Sequence, residues 1–235
     1  ITKTDVMFDE VSHTYYTATG EKYISGSRFC DSFKKGFDSD SVSLAMAKKN
    51  NVEQQDIKDM WELNGEVSTT FGTAVHKALE LYGKYLDLSK AVKGDNSSAL
   101  HKNPILSKIV LGFYEGREND DVRYELFIAD EEEKLCGSID RILIVDKKKK
   151  IIRVQDFKSN PDISKRCDIL PPFKGVVENT SLGAYWLQLS FYGYILEKHG
   201  YTVEGLDIYN YTGTEWVEYN HQMIDIKAGL LKIGA

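Results

Sequence analysis

The sequence predicts an α/β domain with a central mixed β-sheet flanked by helices. Residues 70–86 repeat their apolar positions at helical spacing, residues 123–158 alternate as strands, residues 181–199 return to a helical pattern, and strands follow again. The 235 residues suit one sizeable domain, and 42% hydrophobic with 28% charged residues is the balance of a globular chain. No apolar run reaches the roughly 18 residues that span a bilayer, so no membrane partner is expected.

Taken in order, Val6 to Ile24 reads as a hairpin around a Thr19-Gly20 turn. Ser25 or Ser27 caps a short helix toward Phe33. Residues 36–66 are polar with scattered apolar positions, helical around Val42 to Lys49 and Gln54 to Leu63, so residues 1–66 form an N-terminal elaboration of the single domain 1–235. From Thr70 to Leu86 a stripe of Val75, Ala78, Leu79, Tyr82 and Leu86 marks a strong helix. Gly94 to Ser98 signals a loop, and Pro104 to Tyr114 a further helix. Arg123–Ile128, Leu135–Val145 and Ile151–Lys158 read as strands, the last two joined by Asp146 to Lys150. Residues 159–180, with Pro161, Pro171 and Pro172, form a long loop. Ser181 to His199 is a helix stopped by Gly200. Val203–Tyr211 and Glu215–Tyr219 make a last hairpin, and Ile224–Ile233 a closing helix.

Three cysteines, Cys30, Cys136 and Cys167, are odd in number and widely spaced, which argues against a disulfide framework or a Cys-X-X-Cys metal knuckle. A reducing compartment, the cytoplasm of a bacterial or phage-infected cell, is the expected location, or an organelle where a presequence has been removed. The first residues do not read as a signal peptide. The net charge of −6 is a weak argument against nucleic-acid binding, because a site rich in carboxylates reverses its field once it holds a cation. Local basic surface is offered by Lys34-Lys35, Lys48-Lys49, Lys147 to Lys150 and the stretch Lys158 to Arg166, each of which also reads as a solvated face.

The chemistry concentrates on two strands. Along Ile151–Lys158, alternation puts Ile152, Val154, Asp156 and Lys158 on one face, an apolar floor ending in a carboxylate and an amine. On the preceding strand Asp140 shares a face with Ile142 and Ile144. A hairpin centred on Lys148 sets Asp140 opposite Asp156, since 148 − 140 and 156 − 148 both equal 8. Facing carboxylates repel at the expected Cβ separation of about 4.5–5.5 Å, and a divalent cation offsets that repulsion. Oxygen ligands suit Mg²⁺ or Mn²⁺. Lys158 is then placed to orient water or to stabilise charge on a phosphate.

On the helix, Gly72, His76 and Glu80 lie at i, i+4, i+8 on a side distinct from the core stripe. His76 can supply an imidazole ligand, which favours Mn²⁺. A lone helical His is more often a structural residue. Gln188 and Tyr192, also at i, i+4, can meet phosphate oxygens, although the aromatic setting of Tyr185, Trp186, Phe191 and Tyr194 equally reads as core.

Together, Gly72-Thr73 with His76, Gly137-Ser138-Ile139-Asp140, Asp156-Phe157-Lys158, and Gln188 with Tyr192 resemble the RecB-like branch of the PD-(D/E)XK nucleases. His13-Thr14-Tyr15-Tyr16 and Ile24-Ser25-Gly26-Ser27 resemble the lead-in of phage and mitochondrial exonucleases of that branch. The resemblance runs from about His13 to Tyr211. It implies a PD-(D/E)XK (restriction-endonuclease-like) core and metal-dependent DNA cleavage, exonucleolytic on single-stranded or end-containing DNA, with flap or nicking endonuclease and a silent DNA-binding protein as the alternatives. It implies that His76, Asp140, Asp156 and the main-chain carbonyl of Phe157 hold Mg²⁺ or Mn²⁺. Lys158 becomes the catalytic lysine, and Glu125 a further acidic residue in a second tier with Glu80. Gln188, Tyr192, Thr73 and Ser159 become the substrate-binding set. Relatives with an iron–sulfur cluster carry cysteines after the position of Tyr192; this chain has none there, so no cluster is expected.

Overall fold

The computed structural model describes residues 5–9, 12, 14–91 and 103–234. It opens with β1 (Val6–Asp9), β2 (Thr14–Thr17) and β3 (Lys22–Ser25), then α1 (Gly26–Ser32), α2 (Ser39–Asn50) and α3 (Gln54–Ala91). After α4 (Pro104–Tyr114) come β4 (Val122–Asp130), β5 (Leu135–Asp146) and β6 (Ile151–Lys158). The chain closes with α5 (Ser181–Lys198), β7 (Thr202–Tyr211), β8 (Trp216–His221) and α6 (Lys227–Ile233).

Two expectations at the N-terminal end need correction. The stretch Val6 to Ile24 is three strands: β2 and β3 pair antiparallel across the Gly20 turn, and β1 adds a further antiparallel strand to β2. The helices expected at Gln54–Leu63 and Thr70–Leu86 are one helix of 38 residues. The loop expected at Gly94 to Ser98 lies outside the described residues.

The local chemistry explains most boundaries. Ser25 caps α1 by accepting from the Arg28 amide at 3.2 Å, and Asn103 caps α4 by accepting from Leu106 N at 3.1 Å with Pro104 in the first turn. Thr180 caps α5 through the Gly183 amide at 3.1 Å. Gly200, just past that helix, has φ +81°, a left-handed stop that glycine adopts without a Cβ clash. In the β5–β6 turn, Asp146 Oδ1 accepts from the amides of Lys148 and Lys149 at 2.9 and 3.0 Å.

The sheet is mixed. β5 pairs antiparallel with β4 along nearly its whole length, from Asp130↔Leu135 to Val122↔Leu143. Its other edge is shared: β3 runs parallel to it at Leu135 and Cys136, and β6 runs antiparallel from Arg141↔Gln155 to Asp146↔Ile151. β6 continues in parallel to β7, and β7 to β8 antiparallel. Between β3 and β6, residues 137–140 of β5 therefore have no strand partner on that edge. This split is what opens the sheet at the site.

Helices cover both faces. On one, Val75, Ala78 and Leu79 of α3 and Ile109, Val110 and Phe113 of α4 pack on Phe157 and Tyr209. On the other, α5 and α1 bury Ile142, Ile152, Val154, Leu206 and Ile208. Alternation along β6 thus sends Phe157 to the α3 side and Val154 to the α5 side, as strand geometry requires. Among the described residues no helix is long and apolar enough to cross a membrane, and the three cysteines are free.

Candidate metal and catalytic centre

Three adjacent strands each bring one carboxylate to the split. The β5–β6 register ends at Arg141↔Gln155, and one further step sets Asp140 beside Asp156. The β4–β5 register runs Tyr124↔Arg141 and Leu126↔Ile139, which brackets Glu125 against Asp140. Glu125 itself leaves the ladder: its φ is +47°, a left-handed backbone that costs an L-residue about 1–2 kcal/mol. From the α3 side, His76 Nδ1 reaches to 3.4 Å from Asp140 Oδ2. The imidazole, Glu125 and Asp140 bring one ligand atom each to within 4.8 Å of one another.

Because β5 lacks a ladder partner here, the carboxylate takes that role: Asp140 Oδ2 accepts from the amide of Phe157 at 2.9 Å. The contact fixes the Asp140 rotamer against β6. Lys158 Nζ stands 2.6 Å from Asp156 Oδ2 and 4.6 Å from the centroid of the Tyr185 ring. Asp156 Oδ2 is buried and has the Lys158 ammonium as its partner.

The electrostatics follow from burial. Desolvation, then the Asp156 charge, raises the Asp140 carboxyl well above the carboxylate range, against the opposing pull of Lys158 and the Phe157 amide. Burial alone would lower Lys158, but Asp156 and Asp140 overturn it and hold the amine charged above its ordinary value. Burial lowers His76 despite Asp156, so the imidazole is neutral near pH 7 with a lone pair to offer.

No family model matches the sequence, and no curated protein matches it either. One similar solved structure, that of SSO0001, is 17% identical over 69% of this chain and 71% of its own, with a TM-score of 0.32. So distant a likeness carries no argument, and the site has to be read from its own residues.

A groove of about 510 Å³ opens beside the cluster, lined by Gly72, Thr73, His76, Lys77, Glu80 and Glu125. Gly72 leaves room for Ser159, whose Oγ would stand 3.2 Å from a Cβ at that position. Thr73 lines the groove and is exposed. Glu80 is engaged by Lys77 at 2.6 Å and by Lys84, so its carboxylate is already neutralised.

Two assignments change. Tyr192, expected among the substrate contacts, belongs to the core: it is 6% exposed, packed against Gly26 and Gly137, and its hydroxyl accepts from Gln188 Nε2 at 3.0 Å. Gln188 is half-buried and spends its amide on the Tyr192 hydroxyl. Glu125, expected in a second tier, stands in the ligand cluster, whereas Asp156 is bound up with Lys158. Its left-handed backbone, which aims it there, leaves no sequence signal. Phe157 has its side chain in the α3-side core, and its main-chain carbonyl, expected among the metal ligands, accepts from the His76 imidazole instead. Tyr185, which flanks Lys158, was legible only as an aromatic on a core helix.

The donor set tests well for a hard divalent cation. Carboxylate oxygens with one imidazole suit Mg²⁺ or Mn²⁺. The raised carboxyl of Asp140 is relieved by positive charge between the strands.

Proposed function

We propose that the protein is a metal-dependent deoxyribonuclease of the PD-(D/E)XK type, RecB-like branch, acting as an exonuclease on single-stranded or end-containing DNA. The observation that carries this reading is the row Glu125–Asp140–Asp156 across three strands, with His76 reaching in from α3 and Lys158 beside Asp156. A bound Mg²⁺ or Mn²⁺ would be held by His76, Asp140, Asp156 and Glu125, and supplies an activated water and charge neutralisation at the phosphate.

The side chains divide the remaining work. The amide of Phe157 holds Asp140 in one rotamer, so the carboxylates are oriented before substrate arrives. Asp156 keeps Lys158 protonated and fixed, which aims an ammonium at charge developing on the scissile phosphate. The neutral imidazole of His76 needs to lose no proton before it ligates. The open groove by Gly72 and Thr73 admits a strand.

The test is digestion of 5′- and 3′-labelled linear single-stranded DNA, and of circular single-stranded DNA, with Mg²⁺ or Mn²⁺. Linear DNA should be degraded to 5′-phosphorylated products, circular DNA should survive, and Asp156→Ala should be inert while still folded. Cleavage by Asp156→Ala at the wild-type rate would overturn the site. Cutting of the circle would make the enzyme an endonuclease.

A further inference from the structure

At the far end of the same strands lies a second cavity that the proposed nuclease chemistry does not use. It measures about 430 Å³, within the range of sites that hold small ligands or peptide side chains. Its floor is aliphatic: Leu126 from β4, Ile142, Ile144 and Ile152 from β5 and β6, and Leu196 from α5. Three cations, Arg123, Lys147 and Lys150, line its edge, and no lining residue is acidic. In a chain of net charge −6 that is a local reversal of sign. Arg123 is shared with Asp121 at 2.9 Å, and the Lys150 ammonium lies 5.8 Å from the ring centroid of Tyr201, the one aromatic residue of the wall. Lys147 and Lys150 are exposed turn residues.

Its nearest lining residues, Ile142 and Leu126, stand two positions from Asp140 and one from Glu125, but no residue lines both this cavity and the groove at His76. An occupant would therefore leave that groove open. The lining also decides its class. A nucleic-acid strand would use the cations but waste the floor, because bases bind on aromatic platforms, whereas five of the six uncharged lining side chains are aliphatic and the one aromatic, Tyr201, already faces Lys150. An acidic peptide uses both: its carboxylates meet Arg123, Lys147 and Lys150, and an apolar side chain enters the cavity.

We propose that the cavity between the β5–β6 turn and the C-terminal end of α5 is a docking site for an acidic, apolar-tipped peptide segment of a partner protein. The site works as an anchor that leaves the groove at His76 free.

The experiment is fluorescence anisotropy with a fluorescein-labelled decapeptide alternating Asp and Leu and ending in a free carboxylate. Two control peptides replace every Asp, or every Leu, by Ser. Wild-type protein should bind the Asp/Leu peptide saturably and each control at least tenfold more weakly. The double variant Lys147→Glu, Lys150→Glu, which changes only exposed turn residues, should lose at least tenfold in affinity while unfolding at the wild-type temperature. Ile144→Gln should weaken binding with the charges intact. Equal binding of all three peptides, no saturable binding, or indifference to the lysine reversals would each overturn the proposal. So would displacement by an oligo-dT strand that itself depends on Lys147 and Lys150, since the cavity would then be a nucleic-acid track. None of these readouts requires DNA cleavage, so the outcome is independent of the nuclease reading.

Discussion

Lys158 Nζ lies 2.6 Å from Asp156 Oδ2, two positions away on the same strand face. Among the described residues the amine is the positive charge set directly against the buried carboxylate pair, and both Asp156 and Asp140 raise its affinity for a proton. Lys158→Met keeps the length and apolar stem but removes that charge. Loss of one preorganised group that stabilises developing charge costs about 100-fold or more in rate. Single-turnover cleavage of labelled DNA should fall by at least that factor at every pH from 6 to 9. A rate recovered simply by raising the pH would show that Lys158 only sets the titration of its neighbours.

Tyr192 is held by two glycines. A Cβ on Gly26 or on Gly137 would collide with its ring at Cε1, so each glycine is required by close approach. Gly137→Ala should destabilise the fold by about 1–3 kcal/mol, the usual range for overpacking a tight site. The effect should shrink in the background Tyr192→Leu, which removes the ring. Urea unfolding of the four proteins of this cycle measures the coupling, and additive losses would mean that the ring is not what the glycines accommodate.

Much of this arrangement is legible in the sequence, and what is not has identifiable causes. Alternation places Asp156 and Lys158 together, and counting about Lys148 pairs Asp140 with Asp156; the ladder meets that count because the one-residue shift between Ile144 and Asp146 moves it from Asp146↔Ile151 beside the turn to Ile144↔Ile152 and Arg141↔Gln155 beyond it. The length of α3 is not legible. Residues 62–70 are exposed on every side, so they carry no apolar stripe to betray a helix. They are helical because extending a helix from anchored turns is far cheaper than nucleating one. Tyr192 reads equally as ligand or core until Gly26 and Gly137, distant in sequence, are known to lie against it. Glu125 depends on a backbone angle that no pattern encodes.

Beneath the site, Asp207 ties β6 to β7 and β8. It accepts from Arg153 Nε and Gln155 Nε2, each at 2.9 Å, and from Asn220 Nδ2 at 2.7 Å. Burial alone would raise its carboxyl, but these donors, Arg153 first, hold it below the ordinary 3.8. A depressed folded value means that the unfolded chain takes up the proton first as pH falls. The contribution is therefore full above the ordinary carboxylate range and is lost below it. Asp207→Ala should cost roughly 3–5 kcal/mol at pH 7, because it leaves buried donors unpaired. The difference from wild type should narrow as unfolding is measured at successively lower pH, from 6 toward 3. A gap that stays constant with pH would assign the loss to packing alone.

Glu125 combines strain with repulsion: its φ is +47°, and its charge adds to the raising of Asp140. Both cost stability, and both place a ligand oxygen in the cluster with His76 and Asp140. Glu125→Gly removes the clash of the left-handed backbone and the like charge, at the expense of glycine's greater freedom when unfolded. The metal-free variant should therefore be as stable as wild type or more so, by up to about 1 kcal/mol. Cation binding should move the other way. At a hundredfold excess over Kd a ligand specific to the folded state adds about 2.7 kcal/mol, which raises the melting temperature of a chain this size by roughly 5–10 °C. Wild type should show such a rise with Mn²⁺, and Glu125→Gly only a fraction of it at the same concentration. Paired melting curves with EDTA and with Mn²⁺ decide the matter: an equal metal-induced rise in both proteins would remove Glu125 from the ligand set, whereas a lower melting temperature in EDTA would mean that its backbone conformation carries no strain to relieve.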